Sequence, residues 1–326
     1  MRLIAVGLVG ALALAGAFVV LTLQPVADRG AAQVTIIPPG ASLREIAGQL
    51  RAAGLIRSPL AFIVAARLRG WSGALRHGEY ALSPAMSTLE ILERLARGDV
   101  ILHRVTIPEG YTIAQIAATL AAQGLADQEA FLQLARQEGL TFRLPGLALR
   151  SNLEGYLFPD TYFFPRGLPP RQIVETMLRR FAERVPAALR AEAARVGLSL
   201  HTVVTVASMV ERETRMPAER PVIAGVIYNR LRRGWRLEID ATVLYALGRH
   251  AERVTAADLQ VDSPYNTYRH AGLPPGPISN PGLAAIVAAV RPAAVPYLFY
   301  VLRPDGNHEF SRTLEEHQRA VRRWRP

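Results

Sequence analysis

Cysteine and lysine are both missing from this chain of 326 residues. The first absence excludes disulfides, thiolate metal sites and cysteine nucleophiles together. The second makes every one of the 38 basic residues an arginine; against 27 acidic residues they leave a formal charge of +11. A basic surplus can mark a protein that meets nucleic acid or an anionic surface. Here the arginines are scattered, with one dense run at 319–325, and an all-arginine, alanine-rich chain also reads as coding bias. No nucleic-acid partner is therefore expected. Glycine-rich phosphate loops, HExxH and GxSxG are absent too, and the seven histidines are dispersed, so neither a cofactor nor a metal site is expected. Half of the residues are apolar, enough for a full core and two or more folded units.

Residues 3–23 carry no charge and a single threonine, and a helix of that length spans about 30 Å of hydrocarbon. The competing reading is a cleaved signal peptide, with small-residue sites at Ala13-Leu14-Ala15 or Ala15-Gly16-Ala17. The apolar run continues past both sites through Phe18, Val19, Val20 and Leu21, which favours a retained transmembrane anchor. Arg2 and the amino terminus precede the span, while Asp28 and Arg29 nearly cancel after it, so the N-terminus is expected in the cytoplasm and the remainder outside it.

After a linker to residue 33 the chain repeats itself. IPPGASLREIAGQLRAAGLI at 37–56 aligns without gaps to IPEGYTIAQIAATLAAQGLA at 107–126. Each copy predicts a strand, a Pro-x-Gly turn, a Ser42 or Thr112 cap, and an amphipathic helix closed by Gly54 or Gly124. A looser echo sets His77-Gly78-Glu79-Tyr80 against Glu154-Gly155-Tyr156, each followed by a proline and a helix. The economical reading is an α+β chain with an anchor and linker at 1–33, related small modules at 34–103 and 104–197, and a mainly helical core at 198–326. In that core the pattern predicts helices at 200–212 and 218–232 packed as a hairpin, with a further helix at 282–290. Between them lies a long loop at 262–280 rich in Pro, Asn and Tyr; a loop of that length in a compact domain is usually functional. Strands at 297–302 and 308–310 around Pro304-Asp305-Gly306 form a hairpin before a terminal helix.

The acids are where chemistry is available. In TVASMVERET an almost uninterrupted apolar helix delivers Glu211 at its end. Two readings stay open: the solvated end of a buried helix, or a carboxyl whose proton is retained toward neutral pH because its surroundings are apolar. Glu154 in SNLEGYLFPDTYFF is open in the same way. Asp160 reads as a turn residue and Asp240 as a helix N-cap. In SPYNTYRHAGLPPGPISNPG, the residues Tyr265, Asn266, Thr267 and Tyr268 offer aromatic faces, an amide and a hydroxyl, a mixture that suits a carbohydrate.

ASMVERET, VIYNRL, DATVLYALG, SPYNTYRHAGLPPGPISNPG and HEFSRTLEEH occur in this order, and together the chain from 34 to 321 resembles the YceG-like family of membrane-anchored endolytic murein transglycosylases. The resemblance implies an inner-membrane protein with LysM-like N-terminal structure and a catalytic domain that cuts nascent peptidoglycan within the glycan strand, terminating elongation. It places the catalytic glutamate on Glu211, makes Tyr265, Asn266, Thr267 and Tyr268 contacts to the substrate or its oxocarbenium form, and Glu154 a second carboxylate of the cleft. Peptidoglycan synthases become conceivable partners. The family pattern more often carries glutamine where Glu238 stands, and Glu238 is given no role. The rival from another class is a non-enzymatic wall-binding scaffold; an intact Glu211 and YNTY loop speak against it.

Overall fold

The two aligned segments fold alike because they are capped alike. In the computed structural model, which describes residues 21–143, 149–150, 152–214, 216–249 and 254–324, Ser42 accepts from the backbone N–H of Glu45, whose carboxylate accepts from the N–H of Ser42 at 2.7 Å. Thr112 and Gln115 repeat this capping box around the second helix, at 2.9 and 3.3 Å. Each box satisfies two of the N–H groups that a helix start leaves without partners. Gly54 and Gly124 end the two helices with φ of 68° and 66°, a left-handed turn that favours glycine.

The chain divides into two compact units: residues up to His103 with Phe163–Gly167, and Arg104–Tyr162 with Leu168–Pro326. The first contains β1 (Gln33–Ile37), α1 (Leu43–Ala52), α2 (Pro59–Leu68), β2 (Gly78–Leu82) and α3 (Thr88–Arg97). β1 and β2 pair antiparallel, with Thr35 opposite Tyr80 and Ile37 opposite Gly78. Against this ribbon the helices bury Ile46, Leu50, Phe62, Ile91 and Leu92, so a two-stranded sheet gains the apolar cover it cannot provide alone.

Next along the chain are β3 (His103–Thr106), which belongs to the second unit from Arg104 on, α4 (Ile113–Ala122), α5 (Gln128–Gln137) and β4 (Thr161–Phe164), which belongs to it up to Tyr162, and β3 pairs with β4. The strand, helix, helix, strand order thus occurs twice. The looser echo does not hold: Gly78–Leu82 is a strand, whereas residues 154–156 form a turn. Gly155 has φ of 89°, and a Cβ there would lie 2.6 Å from Pro277 and Val204, so the backbone bends tightly against its neighbours where β2 runs straight.

Next come α6 (Pro170–Arg184), α7 (Ala187–Arg195), α8 (Leu200–Glu213), α9 (Arg220–Arg232), α10 (Asp240–Ala246), α11 (Leu283–Val290), the antiparallel hairpin β5 (Phe299–Leu302) and β6 (His308–Ser311), and α12 (Leu314–Trp324). α8 is the axis. Residues 203–210 are all buried, which requires cover on every side, and α11, α9, α7 and α10 provide it. The expected hairpin of α8 with α9 is present, yet α11 covers more of α8 than α9 does. Apart from Phe163–Gly167, the segments expected as separate modules at 104–197 and 198–326 lie in one unit, tied by the contacts of Asn280 described below.

Asp240 departs from its expected role. It is the first residue of α10 rather than the cap, and its carboxylate accepts from the Tyr268 hydroxyl at 2.5 Å. Asp160 accepts from the Thr161 N–H at 2.8 Å and pairs with Arg180 at 2.7 Å. The anchor expected at 3–23 falls almost wholly outside the described residues. Among the described residues no single helix is long and apolar enough to cross a membrane.

Candidate active site

Ser199 caps α8 by accepting from the N–H of Thr202 at 3.0 Å, and about three turns later the helix delivers Glu211. Its side chain is 6% exposed. The surroundings differ from the apolar pocket that the sequence pattern suggests. One carboxylate oxygen accepts from Arg220 Nη2 at 3.1 Å, and the other from the backbone N–H of Gly282 at 2.9 Å. Arg220 begins α9 and Gly282 caps α11, so three helix ends converge on one carboxylate. Both partners are hydrogen-bond donors, and one of them carries a charge.

A second carboxylate stands beside it. Glu109 lies 3.7 Å from the same Arg220 Nη2, and its side chain is half exposed. Its carboxyl occupies the space over Gly282, where an added Cβ would fall 1.8 Å from Oε1. Partial burial pushes the Glu109 carboxyl up, the Glu211 charge adds to this, and Arg220 opposes it. The Gly110 that follows, at φ of 80°, leaves the position beside the Glu211 Cγ without a side chain; a Cβ there would sit 3.6 Å from it. Arg212 reaches the Gly110 carbonyl at 3.5 Å.

Asn280 holds this turn in place. Its carbonyl accepts from the Gly110 N–H at 2.9 Å, and its own N–H donates to Tyr111 at 2.8 Å. Its fully buried side chain donates to the Tyr111 carbonyl and to Glu154 Oε1, both at 2.9 Å, and accepts from the N–H groups of Gly155 and Leu157 at 3.0 and 2.9 Å. Glu154 is therefore linked to the Glu211 cluster through one amide side chain. It is 1% exposed and also accepts from the N–H of Ile113, at the start of α4, and from the Tyr245 hydroxyl at 3.3 Å. Burial pushes its carboxyl up to about 8, against the lowering effect of the Ile113 N–H, Arg136, Tyr245 and Asn280. These donors hold both oxygens of Glu154, which braces the turn and also borders a cavity with Tyr265.

The four loop residues separate into two pairs. Asn266 is fully buried; its amide donates to the carbonyls of Leu259 and Val261 at 2.9 Å and accepts from the N–H of Tyr268 at 3.0 Å. Thr267, 1% exposed, accepts from the N–H of Ile239 at 3.0 Å and meets the Thr242 hydroxyl at 2.9 Å. These polar groups are committed to shaping the loop. The tyrosines line cavities instead. Tyr265 packs on Tyr245 with ring centroids 4.9 Å apart and borders a cavity of about 190 Å³ with Asn152, Glu154, His201 and Gly276. Tyr268 borders a cleft of about 480 Å³ with Arg212, Glu213, Asp240 and Tyr300. Glu213, two residues beyond Glu211, accepts from the Tyr300 hydroxyl at 2.8 Å there. Glu238 has a φ of 54° and pairs with Arg230 at 2.6 Å.

Glu109, Arg220, Asn280 and Gly282 were not singled out by sequence reasoning. One signal was available for Glu109: it stands in the Pro-x-Gly turn where the first copy of the repeat has Pro39. Chemically, the cluster offers one carboxylate held by a cation and an N–H, and a second, half-exposed one near the same cation. That combination is suited to moving a proton on and off a bound oxygen.

Comparison with known proteins assigns the chain to a family. Residues 35–323 match the model of the YceG-like family. Over 93% of its length the chain is 34% identical to the endolytic murein transglycosylase of Bacillus subtilis (strain 168), covering 88% of that protein. It is 32% identical to the endolytic murein transglycosylase of Streptococcus pneumoniae (serotype 2, strain D39), covering 60% of it. A crystal structure of a yceG-like protein from Listeria monocytogenes superposes with a TM-score of 0.61 at 34% identity, covering 90% of this chain and all of that one.

Proposed function

The chain belongs to the YceG-like family, and from that premise we propose that it is an endolytic peptidoglycan transglycosylase, cutting the bond between N-acetylmuramate and N-acetylglucosamine inside a glycan strand. Glu211, protonated, donates to the glycosidic oxygen as the muramate C1–O bond breaks. The muramate C6 hydroxyl then attacks C1 and gives its proton to the Glu211 carboxylate. The products are a 1,6-anhydro-muramate end and a free N-acetylglucosamine hydroxyl, with no water consumed and the acid restored. One carboxyl serves in turn as acid and base, whereas a hydrolase requires a second carboxylate at about 5 to 9.5 Å to act as nucleophile or to activate water.

The observation that carries this reading is the placing of Glu211: nearly buried, on a helix end whose neighbours bind both oxygens, with Gly110 putting no side chain against its Cγ. Tyr265 and Tyr268 are the proposed saccharide-facing groups, since sugar rings stack on aromatic faces. Asn266 and Thr267 act behind them, holding the loop, and Glu154 braces the turn at the wall of the Tyr265 cavity. The strand, helix, helix, strand order of each repeat supports LysM-like modules. The charge-free run at 3–23 supports a single-pass anchor in the inner membrane, with the N-terminus cytoplasmic and the catalytic domain on the wall side, where nascent strands and their synthases meet the enzyme. Mass analysis of products from uncross-linked glycan strands tests the reaction. Anhydro ends are expected; reducing muramate ends would mean hydrolysis and a different set of catalytic groups.

A further inference from the structure

We propose that the cleft bordered by Asp240, Tyr300 and His308 binds a primary amine, and that the amine it takes is the free one on the peptide branch of an uncross-linked muramate unit. The inference rests on the reading of the chain as a peptidoglycan transglycosylase. In peptidoglycan the branch hangs from the lactyl ether of muramate, the ring whose C1–O bond is broken. Cross-linking turns the side-chain amine of an acceptor branch into an amide. A cleft that reads this amine therefore separates nascent strands from finished wall.

Glu211 and Glu213 are two residues apart on α8, so their Cα atoms stand about 5 Å apart and their side chains leave on nearly opposite faces. Glu211 meets Arg220 and Gly282, whereas Glu213 borders the cleft of about 480 Å³. Arg212, between them, reaches Gly110 on the Glu211 side and also borders the cleft. The two places thus adjoin around one helix end, within reach of a branch that starts at the scissile ring.

The cleft presents oriented acceptors. His308 is 8% exposed, and its Nδ1 lies 2.7 Å from Glu219, which also accepts from the His308 N–H at 2.7 Å and the Thr214 hydroxyl at 3.0 Å. Burial opposes ionisation of Glu219, yet these donors hold its carboxyl below the usual range. An ionised carboxylate only accepts, so Nδ1 carries the proton and Nε2 is left with a lone pair. Among the described residues Nε2 has no partner, and His308 borders the cleft. Asp240 is the second acceptor. It takes the Tyr268 hydroxyl, and no arginine pairs with it among the described residues. The two arginines of the wall are engaged, Arg230 with Glu238 at 2.6 Å and the Leu237 carbonyl at 2.8 Å, Arg212 with Gly110. Negative charge therefore dominates: the Tyr268 hydroxyl is pushed up by burial first, and then by Asp240, Glu213 and Glu238. Tyr300, edge-on to the His308 ring at 5.4 Å, adds an aromatic face. An ammonium group matches this wall, since it brings three donors and a positive charge to acceptors, carboxylates and ring faces. A sugar hydroxyl would leave the charge unanswered, and a carboxylate would be repelled.

The test uses the full-length protein in detergent and uncross-linked glycan strands whose branches carry free amines, against the same strands after N-acetylation. The wild type should show a kcat/KM on the order of tenfold higher for the free-amine strands, the contribution of a charge-assisted hydrogen bond. Asp240→Asn keeps an acceptor for Tyr268 without the charge, and Glu213→Gln does the same for Tyr300. Each should lower that ratio, Asp240→Asn to within about twofold of one. Equal values for the two substrates in the wild type would overturn the proposal. So would a tenfold ratio kept by both variants, because uniform slowing marks a structural role. Binding of the same strands to Glu211→Gln, followed by fluorescence anisotropy, separates this claim from the reaction. A preference for free amines in binding, with no anhydro ends released by the wild type, would sink the transglycosylase reading and keep the cleft. Anhydro ends from both substrates, with no preference in rate or binding, would sink the cleft alone.

Discussion

Replacing Glu154 by glutamine should make the protein more stable at alkaline pH and leave it little changed in acid. The carboxyl has an ordinary value near 4.5 in the unfolded chain and about 8 in the folded one, with burial the main cause. Between those values the folded state holds a proton that the unfolded state has lost. Stability contributed at this position is therefore complete below about pH 4.5 and lost progressively as pH rises toward about 8. At about 1.4 kcal/mol per pH unit the whole span amounts to roughly 5 kcal/mol, and the interval from pH 5.5 to 7.5 alone to nearly 3 kcal/mol. Glutamine keeps the shape, keeps an acceptor for the Ile113 N–H and for Asn280, and cannot ionise. The neutral form is compatible with the site because the Tyr245 hydroxyl, 3.3 Å from Oε2, can turn to accept instead of donate. Urea unfolding of both proteins across this pH interval gives the difference directly. Parallel curves, with the Glu154→Gln increment constant from pH 5.5 to 7.5, would refute the argument that burial dominates this carboxyl.

The other hydrogen-bond supports can be tested in the same way. Asn280→Ala leaves the buried N–H groups of Gly155 and Leu157 without their acceptor. At about 1 to 3 kcal/mol for each such group, a loss of roughly 2 to 6 kcal/mol is expected in denaturant titration, together with lower activity as the Gly110 turn loosens. Thr267→Val keeps the side-chain shape but removes the acceptor of the Ile239 N–H. It should cost about 1 to 3 kcal/mol in a thermal or urea melt with KM for glycan nearly unchanged; a large rise in KM at wild-type stability would return Thr267 to the substrate.

Local chemistry made much of this fold readable. A Ser or Thr cap marked the starts of α1 and α4, and a glycine marked their ends, because capping and left-handed backbone are decided within one turn of chain. The continuous apolar run of α8 announced a helix buried on all sides, and its end drew attention to Glu211. What local pattern does not contain is which distant group meets which. Glu109, Glu211, Arg220 and Gly282 come from four segments, and only tertiary packing brings them to one point. The same limit explains Asn266 and Thr267. An amide and a hydroxyl between two tyrosines suit a sugar, but they equally suit a tight loop that must satisfy its own backbone, and here burial commits them to the loop. Glu154 reads as a free acid in sequence because nothing nearby in the chain reveals that Asn280, more than a hundred residues on, lies against it.

The central claim is that Glu211 carries the proton in both halves of the reaction. The most direct measurement is mass analysis of the products that wild-type and Glu211→Gln proteins release from uncross-linked glycan strands, with circular dichroism to establish that the variant is folded. Anhydro-muramate ends should accumulate with the wild type and be absent with the folded variant. Continued release of anhydro ends by Glu211→Gln at a rate near that of wild type would contradict the account and place the acid elsewhere.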